Sequence, residues 1–264
     1  MTSFPFSLNH VVFGNGESRK LFIWEHLFKM TNYVTWGCNA IYRDIKVDNL
    51  VVADYGMQQE IVESGYARKN KCYFANWNVL PSDPMLEYLT HEFKPEDRHF
   101  AGEDTGLCVI QGSHAEKMIE EHGITEEDKI NKIKKDNGIY VTYIDKKMKI
   151  EPITDPDGWS AGTTAIHLAC QEGAEQVYMF GFDLSTYGKP INNIYKGTKN
   201  YLSADALGFN PVNWKHQLFL TFSEFSNVKF KWIFQDESDS LNVRTKTKLG
   251  QCSNVEFLTY DNIR

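Results

Sequence analysis

Two glycines separated by one asparagine follow the first apolar run of the chain, a spacing that suits the binding of an anion. The run covers residues 11–13 (Val-Val-Phe), the turn is Gly14-Asn15-Gly16, and Ser18 precedes an amphipathic stretch over 20–30. This order predicts a buried strand, a tight turn and a helix that begins at the turn. Backbone N–H groups at a helix N-terminus attract anions, usually phosphates, and glycine lets the backbone approach such a group closely. The sequence therefore favours a nucleotide-type ligand here over a purely structural turn.

The turn differs from the two commonest phosphate-binding motifs. Arg19 stands where a G-x-G-x-x-G dinucleotide fingerprint has its third glycine, and no G-K-[ST] follows to make a P-loop. Two roles stay open for Arg19 and Lys20: they supplement a phosphate site, or they occupy the first turn of the helix.

Strand-like runs alternate with helical patterns along the chain. The strand runs are 11–13, 33–38, 50–53, 71–75, 107–110, 139–143, 177–182 and 228–234, and the helical patterns are 20–30, 58–64, 115–121, 125–135, 160–172 and 214–225. This alternation predicts an α/β fold, a single doubly wound and mostly parallel sheet over residues 1–264. Ligands bind at the carboxyl ends of such strands, so the Gly14 turn and segment 181–184 are expected to face one cleft.

A long segment with few aliphatic residues, 188–210, is either a functional lid or a surface loop without a role.

Composition restricts the class of protein. The 264 residues are 42% hydrophobic and 24% charged, with a net charge of −7, which argues against duplex nucleic acid as a partner. No apolar run reaches the ~18 residues of a membrane span, and residues 1–8 lack the features of a secretory signal. We therefore expect a cytoplasmic protein without a transmembrane segment; whether it forms a homo-oligomer stays open.

The cysteines indicate buried thiols in a reducing compartment. They are odd in number and widely spaced, at positions 38, 72, 108, 170 and 252. No C-x-x-C or Cys/His spacing typical of zinc occurs. This spacing therefore indicates neither a disulfide framework nor a zinc site. Our prediction also includes no metal site and no cofactor.

Four blocks, in order along the chain, resemble one family. Segment 13–18 (Phe-Gly-Asn-Gly-Glu-Ser) is similar to the opening G-N-G-x-S of the bacterial sialyltransferases of the Campylobacter and Haemophilus type, an opening shared by the related pterin pyrophosphokinase-like proteins. Segment 38–42 (Cys-Asn-Ala-Ile-Tyr) resembles their second-strand segment. Segments 160–165 and 174–183 resemble their S-G-x-x-A helix and the turn and strand that end in G-I/F-D.

The resemblance implies a Rossmann-like domain with a lid, a CMP-sugar donor and catalysis without a metal. It places Asn15 and Gly16 against the donor phosphate, has Asn39 bond the donor, and puts a helix N-terminus near the nucleotide with Asp183 close by. Together with the glycine turn, the predicted donor-binding residues are Gly14, Asn15, Gly16, Ser18, Asn39, Ser160, Gly162 and Asp183.

The resemblance also implies catalytic residues. Two lid tyrosines hold the leaving phosphate in the sialyltransferases, and Tyr187 and Tyr195 are the candidates here. The family's general-base histidine precedes the penultimate helix; residues 189–213 contain no histidine, so His216 is the candidate. An arginine expected before the S-G-x-x-A helix is replaced by 157–159 (Asp-Gly-Trp). A base of this kind would deprotonate an acceptor hydroxyl, while tyrosines stabilise the charge on the leaving phosphate.

The sequence therefore predicts a metal-independent glycosyltransferase that uses a CMP-activated, sialic acid-like sugar and a glycan acceptor. One alternative is an ATP- and Mg²⁺-dependent pyrophosphokinase-like enzyme, whose metal the cleft carboxylates Asp54, Asp155, Asp157 and Asp183 would hold. Another is a nucleotide-binding protein without catalysis.

Two of these carboxylate positions are ambiguous. Residues 155–157 match the D-x-D of metal-dependent glycosyltransferases, but 154–158 is also a favourable turn sequence, and we favour the turn. Asp54 either places a carboxylate in the cleft or caps a helix.

Overall fold

The structure, a computed structural model, describes residues 8–27, 32–75, 78–79, 105–111, 123, 125–127, 140–145, 147–184 and 188–263. Its main element is a sheet of eight strands that are all parallel. The apolar runs predicted at 11–13, 33–38 and 50–53 form three adjacent strands of this sheet. Such runs suit a parallel sheet because both of its faces are buried. The predicted α/β fold with a doubly wound sheet is confirmed.

The strands of the described residues are named in chain order. They are β1 (Asn9–Phe13), β2 (Tyr33–Cys38), β3 (Asn49–Val52), β4 (Lys71–Phe74), β5 (Asn78–Val79), β6 (Thr105–Gln111), β7 (Tyr140–Asp145), β8 (Ile150–Pro152), β9 (Gln176–Phe180), β10 (Lys229–Phe234) and β11 (Val255–Thr259). Across the main sheet the order is β11-β10-β9-β1-β2-β3-β4-β8.

The centre of the main sheet is a topological switch point. Phe13 at the end of β1 pairs with Gly37 on one side and with Phe180 on the other. From β1 the chain builds outward through β2, β3 and β4, and later returns to build outward from β9 on the opposite side. Ligands of such sheets bind beyond the carboxyl ends of the strands at this point. The turn after β1 and the segment after β9 therefore meet, as predicted.

Five α-helices lie in the described part of the chain. They are α1 (Tyr55–Glu63), α2 (Tyr66–Lys69), α3 (Ala161–Gln171), α4 (Val212–Glu224) and α5 (Glu237–Lys246). The predicted helix over 160–172 is confirmed as α3, and Gly173 ends it with a φ of 90°, a left-handed conformation that glycine adopts without steric cost.

Apolar side chains fill both faces of the sheet. On one face, buried Val12 and Trp36 pack with Ala165 of α3. On the other face, buried Val11 and Leu50 belong to the cluster that contains the core side chains of α1. Both faces of the sheet are thus covered in the described part of the chain, which leaves the strand ends for a ligand.

The segment after the glycine turn is not the α-helix predicted for 20–30. Two short 3₁₀-helices, Glu17–Leu21 and Trp24–Leu27, take its place, and residues 28–31 lie outside the described part. The first of them turns Ser18 and Arg19 inward, where both are buried and bond to other elements. Those long-range bonds hold the backbone in tight turns instead of a continuous helix.

The predicted strands at 107–110 and 139–143 are confirmed as β6 and β7, but they do not join the main sheet. They form a separate antiparallel sheet with β5. The division of the chain into a single domain with a lid remains a prediction.

Five of the named strands and α-helices escaped the sequence patterns: β5, β8, β11, α2 and α5. β5, β8 and α2 have two to four residues, and α5 is almost entirely polar. Conversely, the predicted helix at 115–121, most of that at 125–135 and the unassigned tract 81–99 lie outside the described residues. None of the helices that the structure describes is both long and apolar enough to span a bilayer.

Candidate functional site

A cleft with a volume of about 1180 Å³ opens at the switch point, at the carboxyl ends of the central strands. Its walls come from the turn after β1, the ends of β2, β3 and β9, the beginning of α3, α4 and the segment 188–210. Seven of the eight predicted donor-binding residues line it, and they are Gly14, Asn15, Gly16, Asn39, Ser160, Gly162 and Asp183.

The glycine turn after β1 joins two loops of the fold. The backbone N–H groups of Gly14 and Gly16 donate to the carbonyl oxygens of Phe180 (2.8 Å) and Gly181 (2.9 Å). A Cβ at either glycine would collide with the Gly181 carbonyl oxygen. Glycine is therefore needed for the close approach of the β1 and β9 loops, and these two N–H groups are not available to a phosphate.

Ser18 faces the protein interior instead of the cleft. Its backbone N–H donates to Asp183 Oδ2 at 3.0 Å, and its hydroxyl donates to Asp183 Oδ1. Its side chain is buried, whereas Asp183 lines the cleft. Ser18 holds the Asp183 carboxylate in position, so the predicted direct contact of Ser18 with a ligand has no support in this geometry.

The two basic residues after the turn also lie away from the cleft. Arg19 is buried and donates from Nη2 to the Tyr195 hydroxyl at 2.8 Å. Exposed Lys20 pairs with Glu17 at 2.9 Å. Arg19 therefore joins the core to the segment 188–210, and a role in binding phosphate directly does not follow from this placement.

Asn15 does present its side chain to the cleft. Its Nδ2 donates to the Cys38 carbonyl oxygen (3.1 Å) and to the Tyr201 hydroxyl (3.4 Å). Its Oδ1 is buried and has no hydrogen-bond partner among the described residues. An unpaired buried amide oxygen is costly, so Asn15 has hydrogen-bonding capacity that the described residues do not use.

The ends of β2 and β3 bring Asn39 and Asp54 together. Asn39 Nδ2 donates to Asp54 Oδ2, and Asn39 Oδ1 accepts from the Ala53 N–H at 3.4 Å. Asn39 adopts a positive φ of 49°, a conformation that costs energy for a side chain with a Cβ. Asp54 stays exposed at the cleft, yet the surrounding protein partly desolvates its carboxylate and so raises its pKa, while the Asn39 hydrogen bond opposes that rise.

The N-terminus of α3 forms another wall. Ser160 is the N-cap residue, and residues 160–163 line the cleft. Gln217 of α4 accepts from the Thr163 hydroxyl at 2.6 Å and fixes this end of α3. The first N–H groups of a helix have no partner within it, and they lie at the positive end of its dipole. With the β1 turn occupied, this end of α3 is the better anion site.

Tyr195 belongs to a buried network and does not line the cleft. Its hydroxyl donates to Asp44 Oδ2 at 2.6 Å and accepts from Arg19. Burial raises the pKa of Tyr195, and the Arg19 charge opposes this rise. The position predicted for Tyr195 beside a leaving phosphate is therefore not the one that the structure gives.

Tyr201 is the tyrosine of this segment that lines the cleft. Its hydroxyl accepts from the Ala40 N–H at 3.3 Å and lies 3.4 Å from Asn15 Nδ2. The family resemblance suggested Tyr195, because spacing alone does not tell which of two nearby tyrosines of the segment reaches the cleft.

Of the other two predicted catalytic residues, the structure describes only His216. Tyr187 lies outside the described residues. His216 is exposed on α4, whose residues at the cleft are Asn213, Trp214, Gln217 and Leu218. The described structure therefore does not bring His216 to the other predicted residues.

The carboxylates of the metal-dependent alternative are dispersed. Asp54 and Asp183 line the cleft, whereas Asp155 accepts from Gln171 at 3.0 Å in a bend before α3 and Asp157 is exposed. The structure thus agrees with the turn interpretation of 154–158. Among the residues that the structure describes, no group of three His, Cys, Asp or Glu side chains could hold a metal ion.

Comparisons with known proteins give one distant likeness. No protein-family model and no curated protein sequence matches the chain. Among solved structures, the sialyltransferase CstII from Campylobacter jejuni, in complex with the substrate analogue cytidine-5'-monophosphate, is similar over 94% of this chain and 84% of that one. The identity is 12% and the TM-score 0.36. We draw nothing about activity from a structural relation this distant.

Proposed function

We propose that the chain is a glycosyltransferase that uses a nucleotide-activated sugar, with CMP as the nucleotide. One observation carries the proposal: residues that the family resemblance marks as donor-binding, on four separate segments, meet in one cleft. Asn15 follows β1, Asn39 follows β2, Ser160 begins α3 and Asp183 follows β9. The switch point is where α/β sheets bind ligands, and the residue types that the resemblance marks stand there together.

Each group has a role that suits this donor. The N-terminus of α3 suits the phosphate. The amides of Asn15 and Asn39 suit hydroxyl and carbonyl groups of the nucleoside or sugar, because an amide both donates and accepts. Ligand pockets commonly measure about 300–1,000 Å³, so a cleft of about 1180 Å³ has room for a donor and part of an acceptor.

The reaction requires the bond between the sugar and the phosphate to break as an acceptor hydroxyl attacks. The growing charge on the leaving phosphate would be stabilised by the α3 N-terminus and by the Tyr201 hydroxyl, which takes the role predicted for Tyr195. As the family resemblance implies, we propose that the transferred sugar is sialic acid-like and that the acceptor is a glycan.

Ligand-induced thermal stabilisation tests the nucleotide. We expect CMP without metal to raise the melting temperature more than UDP, GDP, ADP or ATP, because a ligand at one hundred times its Kd adds about 2.7 kcal/mol of stability. CMP release from CMP-sialic acid then tests catalysis. Stabilisation by ATP and Mg²⁺ alone would contradict the proposal in favour of phosphoryl chemistry, and tight CMP binding without turnover would indicate a non-catalytic binding protein.

A further inference from the structure

Asp54 occupies a helix N-cap position without using its side chain as a cap. Its carbonyl oxygen accepts from the N–H groups of Met57 and Gln58, both at 3.0 Å. Its carboxylate makes no hydrogen bond to the first turn of α1 and lines the cleft instead. The sequence left open whether the Asp54 side chain caps a helix or lies in the cleft. In the structure it lies in the cleft.

One oxygen of this carboxylate is held and the other is left for a ligand. Asn39 donates to Oδ2, while Oδ1 has no hydrogen-bond donor among the described residues. Asn39 is itself fixed by its bond to the Ala53 N–H and by its positive φ. Side chains held this firmly in an unfavourable backbone conformation are common at functional sites.

The titratable groups that face Asp54 carry no charge at neutral pH, so none of them opposes the ionised form of its carboxylate. Burial raises the pKa of Cys38 to about 12 and also raises the pKa of Tyr201, so both stay uncharged at neutral pH. Asn39 carries no charge. The cleft walls raise the pKa of Asp54 itself, which brings a carboxyl group closer to the pH at which a base works best.

We propose that Asp54 is the general base of the transfer reaction, a role that rests on the proposed function. Its Oδ1 accepts the proton of the acceptor hydroxyl. The electron pair of that hydroxyl oxygen forms the new bond to the anomeric carbon, and the bond from that carbon to the phosphate oxygen breaks. Its electron pair leaves with CMP. Asn39 is a positioning residue, because it orients the carboxylate through Oδ2.

Two substitutions at Asp54 separate charge from shape. In Asp54→Asn the amide oxygen still accepts from Asn39, so the fold is kept, but the side chain no longer accepts a proton. In Asp54→Glu the carboxylate remains and is displaced by one methylene. Asp157→Asn is the matched control, since it removes an exposed carboxylate outside the cleft.

The assay is CMP release from CMP-sialic acid with water as the acceptor, which needs no knowledge of the natural acceptor, over a range of pH. CMP affinity is measured beside it by calorimetry. We expect Asp54→Asn to lower kcat by about 10²–10⁴-fold and to change the Kd for CMP less than about threefold. Wild type should show a rate that rises with pH as Asp54 loses its proton, and Asp54→Asn should lose that limb. Asp54→Glu should recover part of kcat, and Asp157→Asn should match wild type.

Three results would overturn the proposal. If Asp54→Asn keeps the wild-type rate and pH limb, another group is the base, although the proposed function stands. If it loses CMP affinity as much as turnover, Asp54 binds the donor instead. If wild type binds no CMP and releases none, the proposed function fails, and the role of Asp54 fails with it.

Discussion

Two neighbouring regions of the same cleft, the end of β1 and the ends of β2 and β3, use their polar groups in opposite ways. At the end of β1, the N–H groups of Gly14 and Gly16 donate to the β9 loop, and Ser18 donates to Asp183. At the ends of β2 and β3, Asn39 and Asp54 bond to each other and still present polar atoms to the cleft. The glycine N–H groups and Ser18 therefore hold the fold together, whereas Asn39 and Asp54 are oriented towards the cleft with polar atoms left for a ligand.

The difference shows that a glycine-rich turn is not always a ligand cradle. Its glycines are required here because two loops approach closely, as the positions of Gly14 and Gly181 show. The same requirement for small residues arises when a phosphate is the neighbour. Sequence cannot distinguish the two, because the neighbour belongs to a segment far along the chain.

The largest expected effect is a loss of stability when the close contact between the β1 and β9 loops is disturbed. Gly14→Ala places a Cβ against the backbone of Gly181, which cannot move without disturbing β9, so we expect a loss of about 3 kcal/mol or more in the free energy of unfolding. Gly162→Ala is the matched control. Its Cβ would meet side-chain atoms and no backbone, the Phe182 ring at 3.3 Å and Cys38 Sγ at 3.9 Å, and we expect a change within about 1 kcal/mol. Urea unfolding measures the free energy of unfolding of both variants. Equal losses would contradict the conclusion that Gly14, unlike Gly162, is required by the close approach of two backbone segments.

Substitutions of two tyrosines in segment 188–210 test the same contrast between a structural residue and a residue of the site, with a smaller expected effect. Tyr195→Phe leaves Arg19 and Asp44 without their shared partner, and we expect a loss of about 2 kcal/mol in stability with CMP affinity unchanged. Tyr201→Phe removes only long hydrogen bonds, so stability should fall by less than about 1 kcal/mol. Its turnover should fall about 10²-fold, because a donor to the leaving phosphate is lost. If Tyr195→Phe lost turnover and Tyr201→Phe lost mainly stability, Tyr195 would be the tyrosine that stabilises the leaving phosphate.

Much of the fold follows from local pattern. The strands β1, β2 and β3 were predictable because a run of apolar residues indicates burial. The end of α3 was predictable because Gly173 directly follows its last residues. The helix predicted for 20–30 was wrong, because Ser18 and Arg19 bond to partners beyond residue 180. The polar helix α5 has no apolar periodicity to reveal it.

The candidate site was predictable in its location and less so in its details. Strand ends and motifs identified the cleft, but the orientation of each side chain depends on tertiary packing. The sequence left two roles open for Asp54, and the family resemblance pointed to Tyr195, whereas Tyr201 lines the cleft. Only the bonds to Asn39 and to Ala40 decide these positions.

Calorimetric titration with CMP of two variants tests the division between scaffold and site most directly. Asn39→Gly removes the side chain, and glycine adopts the positive φ without strain; Ser18→Ala removes a buried bond to Asp183. We predict that Asn39→Gly weakens CMP binding about tenfold, the effect of one hydrogen bond, with stability changed by less than about 1 kcal/mol. Ser18→Ala should lose about 2 kcal/mol of stability and keep its CMP affinity within about twofold. Weaker CMP binding by Ser18→Ala, with Asn39→Gly unaffected, would contradict the account.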